Sequence, residues 1–393
     1  MRHDNVSDWA TDFDHRHPEW IARPIPIWEH LRKSCPVATT SRYGGVYLPV
    51  RYADICAIAN DPEHFSSRSV VVREDASLGF GNAPINSDPP EHTEERRLLL
   101  QAFSAATIRS LEPATRAICR DLVKPLIGGI VADAAMDYAQ HIPARIMALL
   151  LGLPDRDGDL FRKWIYQSLD VGIVEADVAA QSLSEMTEYM ESMLAERRMR
   201  PESDIPTMLL AARINGLPLE PEKIIGMLRL LLIAGIDTTW SLIGSSLLHL
   251  AQAPHDRDVL VKQPGGIPQA VEEFLRAFSP VTMAREVIKE CSRAETTFET
   301  GRMVMLSFPA ANHDPSIFEA PEVVKIDRDA RRHVAFGFGR HRCLGAGLAR
   351  MEAKVALEEW LNAFPRFSLR PGEPITLSEG IVRGPRTVPV RLS

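Results

Sequence analysis

Phe336-Gly337-Phe338-Gly339-Arg340-His341-Arg342-Cys343-Leu344-Gly345 decides how this chain is read. One cysteine sits in a glycine-rich loop, with a phenylalanine seven residues before it and a glycine two after. A thiolate that ligates a metal gains from backbone N–H groups pointed at its sulfur, and glycines let the backbone fold that closely. Alone, Cys343 has other readings. A buried structural thiol is the commonest fate of a free cysteine. Zinc is another, with His333 and His341 nearby, but structural zinc takes four ligands in recognised spacings and no second cysteine lies near. The rest of the chain separates these readings.

The chain has 393 residues, 45% hydrophobic and 25% charged, which suits a globular protein with a large core. It shows no linker, repeat or low-complexity run, so one domain over residues 1–393 is expected. A net charge of −7 and a pI near 6.0 argue against non-specific nucleic-acid binding. The N-terminus is polar and acidic, with no apolar leader. The most apolar run, Met227 to Ile236, contains Arg229 and is too short to span a bilayer. Five cysteines (Cys35, Cys56, Cys119, Cys291, Cys343) are scattered without framework spacing. A cytoplasmic, reduced, membrane-free protein is expected.

Amphipathic segments bounded by proline run from Thr107 to Ile127, Ala179 to Arg200, Pro221 to Ala251, Ile267 to Phe278 and Leu344 to Phe364. Strand patterns are short: Gly45 to Val50, Met303 to Phe308 and Thr387 to Leu392. There is no regular β–α alternation, so pattern alone gives a large, mainly α protein.

Three further motifs carry chemistry. Ala234-Gly235-Ile236-Asp237-Thr238-Thr239 lies mid-helix, where Gly, Asp and Thr are poor helix formers. A threonine there can bond to a carbonyl one turn earlier and bend the helix. Either this is a local kink with polar groups in solvent, or a buried acid beside a buried alcohol that calls for a function. The flanks, Leu230 to Ile233 and Leu242-Ile243, are apolar all round and favour burial. Glu273 and Arg276 share a helix face at i,i+3; alone they would be a surface pair worth under about 1 kcal/mol. Asp88-Pro89-Pro90-Glu91-His92-Thr93-Glu94-Glu95-Arg96-Arg97 starts a helix on which His92 and Arg96 are i,i+4 neighbours. Alone, these would be ordinary surface groups.

In order and spacing the four motifs are similar to those of the cytochrome P-450 family, whose haem-ligating loop reads Phe-x-x-Gly-x-x-x-Cys-x-Gly. The resemblance spans residues 88 to 345. It implies a mainly α, triangular fold with small β-sheets. It implies haem b (iron protoporphyrin IX) with Cys343 as axial thiolate, framed by Phe336 and Gly345, and propionates held by His92, Arg96, Arg285 and His341. It implies that the small Ala234-Gly235 pair leaves room for O2, that Thr238 hydrogen-bonds activated dioxygen, and that Asp237 brings in protons through water. Glu273, Arg276 and Arg328 would form a buried structural set under the haem. By position, the substrate pocket would draw on the loop from Ser69 to Pro84 and on Leu230, Ile233, Val281, Met283, Ile381 and Val382; these are mostly apolar, with Arg73, Glu74 and Asp75 as polar anchors in the loop.

The activity implied is that of a soluble bacterial-type monooxygenase acting on a small hydrophobic organic substrate. No flavin or iron–sulfur module is seen at either end. Electrons from NAD(P)H are therefore expected through a ferredoxin and its reductase, with the enzyme a monomer. Arg96, Arg97, Arg331, Arg332, Arg340 and Arg342 cluster around the motifs and would steer an acidic ferredoxin. A non-catalytic haem-thiolate sensor would need no Asp237-Thr238 relay, and a peroxide-driven relative typically replaces that pair. One region departs from the family pattern. After Arg285 a Gly-rich hairpin is usual, and this chain has Cys291-Ser292-Arg293-Ala294-Glu295-Thr296-Thr297, which leaves the local sheet open.

Overall fold

A computed structural model of the chain describes residues 5–72, 83–173, 175–380 and 382–392. Three short helices open it: α1 (Pro18–Ala22), α2 (Pro24–Ser34) and α3 (Tyr52–Ala59). The helical body follows, with α4 (Glu91–Leu100), α5 (Ala105–Val123), α6 (His141–Leu150), α7 (Gly158–Leu169), α8 (Ala176–Met199), α9 (Ile205–Ala211), α10 (Pro221–Gln252), α11 (Pro254–Lys262) and α12 (Ile267–Ala277). A short α13 (Phe308–Asn312) precedes the cysteine loop, and α14 (Ala346–Ala363) leaves it. The five helical segments expected from periodicity are all present, within a few residues at each end.

Local chemistry explains their limits. The Ser104 side chain accepts from the Thr107 N–H at 3.2 Å and caps α5. Pro221 opens α10, where the missing N–H costs nothing, and Glu222 and His249 complement its dipole at opposite ends. In α12 the apolar residues Ile267, Ala270, Val271 and Phe274 recur at helical spacing on one buried face.

Five short strands form the main sheet in the order β1 (Val37–Thr40), β2 (Val46–Pro49), β10 (Met303–Ser307), β7 (Thr282–Val287), β3 (Phe65–Ser66). Among the described residues only the β2–β10 pair is parallel, with Met303 opposite Val46. Alternation sends Val37, Tyr47, Val304 and Leu306 to one core and Ala38, Val46, Leu48 and Met305 to another, so both faces are covered. A second sheet joins β11 (Phe367–Leu369), β12 (Pro389–Leu392) and β4 (Val131–Asp133). The hairpin β5 (Arg213–Ile214) to β6 (Leu217–Pro218) stands apart.

The region after Arg285 does form a hairpin, β8 (Cys291–Arg293) with β9 (Thr296–Phe298). Its two turn residues, Ala294 and Glu295, take φ of 48° and 62° without a glycine. Two-residue hairpin turns demand positive φ at both positions, so this chain meets the geometry with strained residues.

The largest core is helical and centres on α10, which packs against α6, α7, α8, α12 and α14. By length and composition α10 could cross a membrane, with a mean hydropathy of 1.4 over its most apolar window. Yet 67% of that window is buried inside the protein, so the residues around it take the place of lipid. The apolar segment is thus longer than the run Met227 to Ile236 suggests. α10 passes through Ala234–Thr239 as continuous helix.

Candidate functional site

The cysteine loop is closed by its own backbone. The Cys343 N–H donates to the Phe336 carbonyl at 2.8 Å, and the Gly337 N–H to the Val334 carbonyl at 2.9 Å. Gly339 has φ +72°, and a Cβ there would lie 2.6 Å from Oδ1 of Asn60, so position and conformation both require glycine. Val334 N–H donates to Asn312 Oδ1 at 2.8 Å, fixing the loop to α13. Burial pushes the Cys343 thiol up, while the Gly345 N–H, Arg96, Arg350 and Arg342 pull it down. The thiol is exposed and lines the cavity described below.

Beneath the loop lies the expected ionic set. Glu273 and Arg276 are fully buried and pair twice at 2.8 Å. Arg276 also donates to the Asn312 and Pro321 carbonyls at 3.1 and 2.7 Å, and Arg328 reaches Glu273 at 3.1 Å. These bonds offset the desolvation that a buried pair suffers. A second set went unread in the sequence: Glu272 holds Arg350 at 2.5 and 2.9 Å and His333 at 3.1 Å, while Arg350 stacks 4.5 Å from the Phe336 ring. His333 is thus engaged, and among the described residues no three His, Cys, Asp or Glu side chains converge as metal ligands.

A cavity of about 290 Å³, open to solvent, lies between the loop and α10. His92, Arg96, Ala234, Gly235, Arg285, Phe336, His341, Cys343 and Gly345 all line it. So do Leu230, Ile233, Val281, Met283 and Val382; Ile381 and the loop residues 73–82, Arg73, Glu74 and Asp75 among them, lie outside the described residues. Val281 and Val382 meet across an antiparallel bridge, which brings the C-terminal segment to the wall. Met147 of α6 and Leu169 of α7 complete the apolar surface and had no signal in the sequence, because helices distant in sequence supply them.

Thr238 faces this cavity and its hydroxyl donates to the Ala234 carbonyl at 2.7 Å. Ala234 is exposed toward the cavity on a helix otherwise mostly buried. Gly235 has a further role: a Cβ there would lie 2.7 Å from the Met147 sulfur, so its smallness lets α6 approach α10. Asp237 is not on the wall. It is 1% exposed and turned to Arg386, whose Nη1 lies 2.8 Å from Oδ1 and whose Nη2 donates to Oδ2 at 3.1 Å. Burial holds Asp237 up at about 6 against the pull of Arg386, with Asp170 adding to the rise.

Two arginines and two imidazoles crowd together at this cavity. The His92 and His341 rings are 4.0 Å apart, and His341 Nε2 lies 2.9 Å from Ser67 Oγ. Burial, then Arg285, His92 and Arg96, push His341 down to about 2. Burial and Arg96 lower His92, whose buried Nε2 has no partner. Burial lowers Arg285 to about 10, and Arg96 donates to the Arg342 carbonyl at 2.5 Å. Basic groups that disfavour one another's charge, with a ring nitrogen left unpartnered, make a site suited to carboxylates. A thiolate on one wall suits a soft metal centre. The donor set therefore fits an iron porphyrin bearing two propionates.

Known proteins agree. The family profile described as Cytochrome P450 matches residues 267–390. The polyketide biosynthesis cytochrome P450 PksS of Bacillus subtilis (strain 168) is 32% identical, over 95% of this chain and 97% of its own. Its solved structure superposes with a TM-score of 0.88 at 31% identity, over 97% of this chain and 100% of that one. A vitamin D(3) 25-hydroxylase of Pseudonocardia autotrophica is 34% identical over 94% of each chain. Fold, haem-suited cavity and relatives converge on one conclusion: the chain belongs to the cytochrome P450 family of haem monooxygenases.

Proposed function

We propose that this chain oxidises a small hydrophobic organic substrate with O2, holding haem b iron through Cys343 and the propionates through His92, Arg96, Arg285 and His341. The observation that carries the proposal is the meeting of the Cys343 thiol, two guanidiniums, two imidazoles and Thr238 at one apolar cavity. When bound, haem supplies the activation of O2: with two electrons and two protons, one oxygen atom enters the substrate and the other leaves as water.

The chain's own residues supply the rest. The apolar wall of Leu230, Ile233, Val281, Met283 and Val382 binds the substrate and excludes water. Thr238 gives its one hydroxyl proton to Ala234, so its oxygen can only accept from the cavity. It thereby holds a proton on whatever bonds it. Asp237, held up at about 6, takes up and gives back a proton closer to neutral pH than an ordinary carboxylate, and is the group able to deliver one from the far side of the helix. Glu273, Arg276 and Arg328 keep the loop rigid. The names of the relatives, for polyketide biosynthesis and for vitamin D(3), accord with a hydrophobic substrate.

Electrons would come one at a time from a ferredoxin, itself reduced by NAD(P)H through a reductase. Arg332, Arg340 and Arg342 are exposed beside the loop and make no ion pair among the described residues, whereas Arg97 and Arg331 are paired to Glu94 and Asp329. A cytoplasmic monomer fits this supply.

The test is spectroscopic. The reduced protein with carbon monoxide should show the red-shifted Soret band of a thiolate haem, and Cys343→His should lose it. Retention in Cys343→His or Cys343→Ser would make another cysteine the ligand and sink the proposal. Turnover with NAD(P)H, ferredoxin and reductase, set against peroxide alone, separates the oxygenase from a peroxide-driven enzyme.

A further inference from the structure

Arg386 was unread in the sequence, and it holds two acids at once. Its Nε donates to Asp170 Oδ1 at 2.8 Å, while its other face holds Asp237. Nη1 also donates to Ser241 Oγ at 3.3 Å, and the guanidinium lies 4.4 Å from the Trp240 ring centre. Arg386 and Asp237 are buried and Asp170 is nearly so, with side-chain exposures of 9% for Arg386 and 12% for Asp170. One cation between two buried carboxylates leaves an uncompensated negative charge, a costly arrangement with no evident purpose in packing.

The backbone is built to deliver this arginine. Arg386 follows Gly384-Pro385 on the C-terminal segment. A Cβ at Gly384 would lie 2.4 Å from the Ser241 Cβ, and one at Gly244 would lie 3.2 Å from the Pro385 ring. Two glycines thus let the segment press against α10 until Arg386 reaches Asp237. The other end of the bridge reports on the cavity. Asp170 immediately follows Leu169, the last residue of α7, and Leu169 lines the cavity wall.

We propose that Arg386 is a positioning residue that links cavity occupancy to proton supply: a substrate pressing on Leu169 shifts Asp170 on Arg386, and Arg386 then holds or releases Asp237. The proposal rests on the oxygenase reading of Asp237 and Thr238 given above. The charged groups acting on Asp237 are Arg386, from the C-terminal segment, and Asp170, from the end of α7; Ser241 and Trp240 on α10 offer a hydroxyl and a ring. Asp170 opposes ionisation of Asp237 and Arg386 favours it, so the two arms pull in opposite directions.

The experiment uses the ferric, haem-loaded enzyme without turnover. The infrared carbonyl stretch of protonated Asp237, assigned by its loss in Asp237→Asn, is followed against pH. In the wild type it should appear as pH falls through about 6. In Asp170→Asn it should appear at lower pH, because a like charge is gone and the guanidinium serves Asp237 alone. In Gly384→Ala, which removes no charge but displaces Arg386, it should appear at higher pH. Amide exchange at residues 170–172 should quicken in Arg386→Lys, which keeps the charge and loses the planar fork. Turnover in Asp170→Asn should fall about tenfold, with a larger solvent deuterium isotope effect, a part of what positioned proton transfer contributes. An unmoved midpoint in Asp170→Asn, or a shift of the same sign in both variants, overturns the shared bridge. Unchanged exchange at 170–172 in Arg386→Lys overturns the link to α7. Neither readout needs turnover, so loss of the Cys343 assignment would overturn the oxygenase reading and leave the bridge standing.

Discussion

Thr238 commits its hydroxyl proton to the Ala234 carbonyl, which makes its oxygen a pure acceptor toward the cavity. Thr238→Ala should therefore still bind substrate and O2 yet release hydrogen peroxide in place of product. Product formed per NAD(P)H consumed measures this, and equal coupling in variant and wild type would refute the role. Glu352, on the same cavity, is a buried carboxyl with an unpartnered oxygen, and burial raises it from 4.5 to about 8. It stays protonated in the fold at pH 7. From about pH 4.5 to about 8 the unfolded chain loses a proton that the folded chain keeps, so each pH unit in that window removes up to about 1.4 kcal/mol of stability. Glu352→Gln abolishes that slope. Denaturant unfolding should show the variant gaining on the wild type between pH 4.5 and 8 and holding a constant offset above; parallel curves would place the proton elsewhere. At this scale, what the sequence revealed was local. Glu273 and Arg276 stand three residues apart and could be read as partners. Asp237 and Arg386 stand 149 residues apart, and only the folded chain brings them together.

Helices were legible because burial imposes a period on every turn, and their ends because proline and serine mark them. That α10 stays helical through its glycine and threonines was not legible. Propensity disfavours those residues mid-helix, but close packing against α6 overrides it, and Gly235 is what permits the approach. The β8–β9 hairpin makes the complementary point: its pairing survives without the glycine that would ease its turn. Glu295 is exposed and holds φ of 62°, where a side chain costs about 1 kcal/mol or more. Glu295→Gly should stabilise the protein by roughly 1 kcal/mol, seen as a higher denaturant midpoint at unchanged slope. A lowered midpoint would mean that the turn is not strained.

Across the whole molecule, charge is uneven. The chain carries −7 overall, yet Arg332, Arg340 and Arg342 stand exposed around the cysteine loop. Surface fields are screened within about 8–10 Å at physiological salt. Reduction by ferredoxin should therefore slow as ionic strength rises, and Arg332→Glu or Arg340→Glu should slow it further without altering the haem spectrum. A rate indifferent to both would mean docking by apolar contact or at another face.

The buried α10 has a consequence for where this protein can be made. Threaded unfolded through a translocation channel, the chain has no packed helices to cover α10, and the channel would read the same apolar stretch as a stop signal. Fused to a secretion leader, the chain would lodge in the bilayer at α10, its cysteine loop stranded on the side it started from.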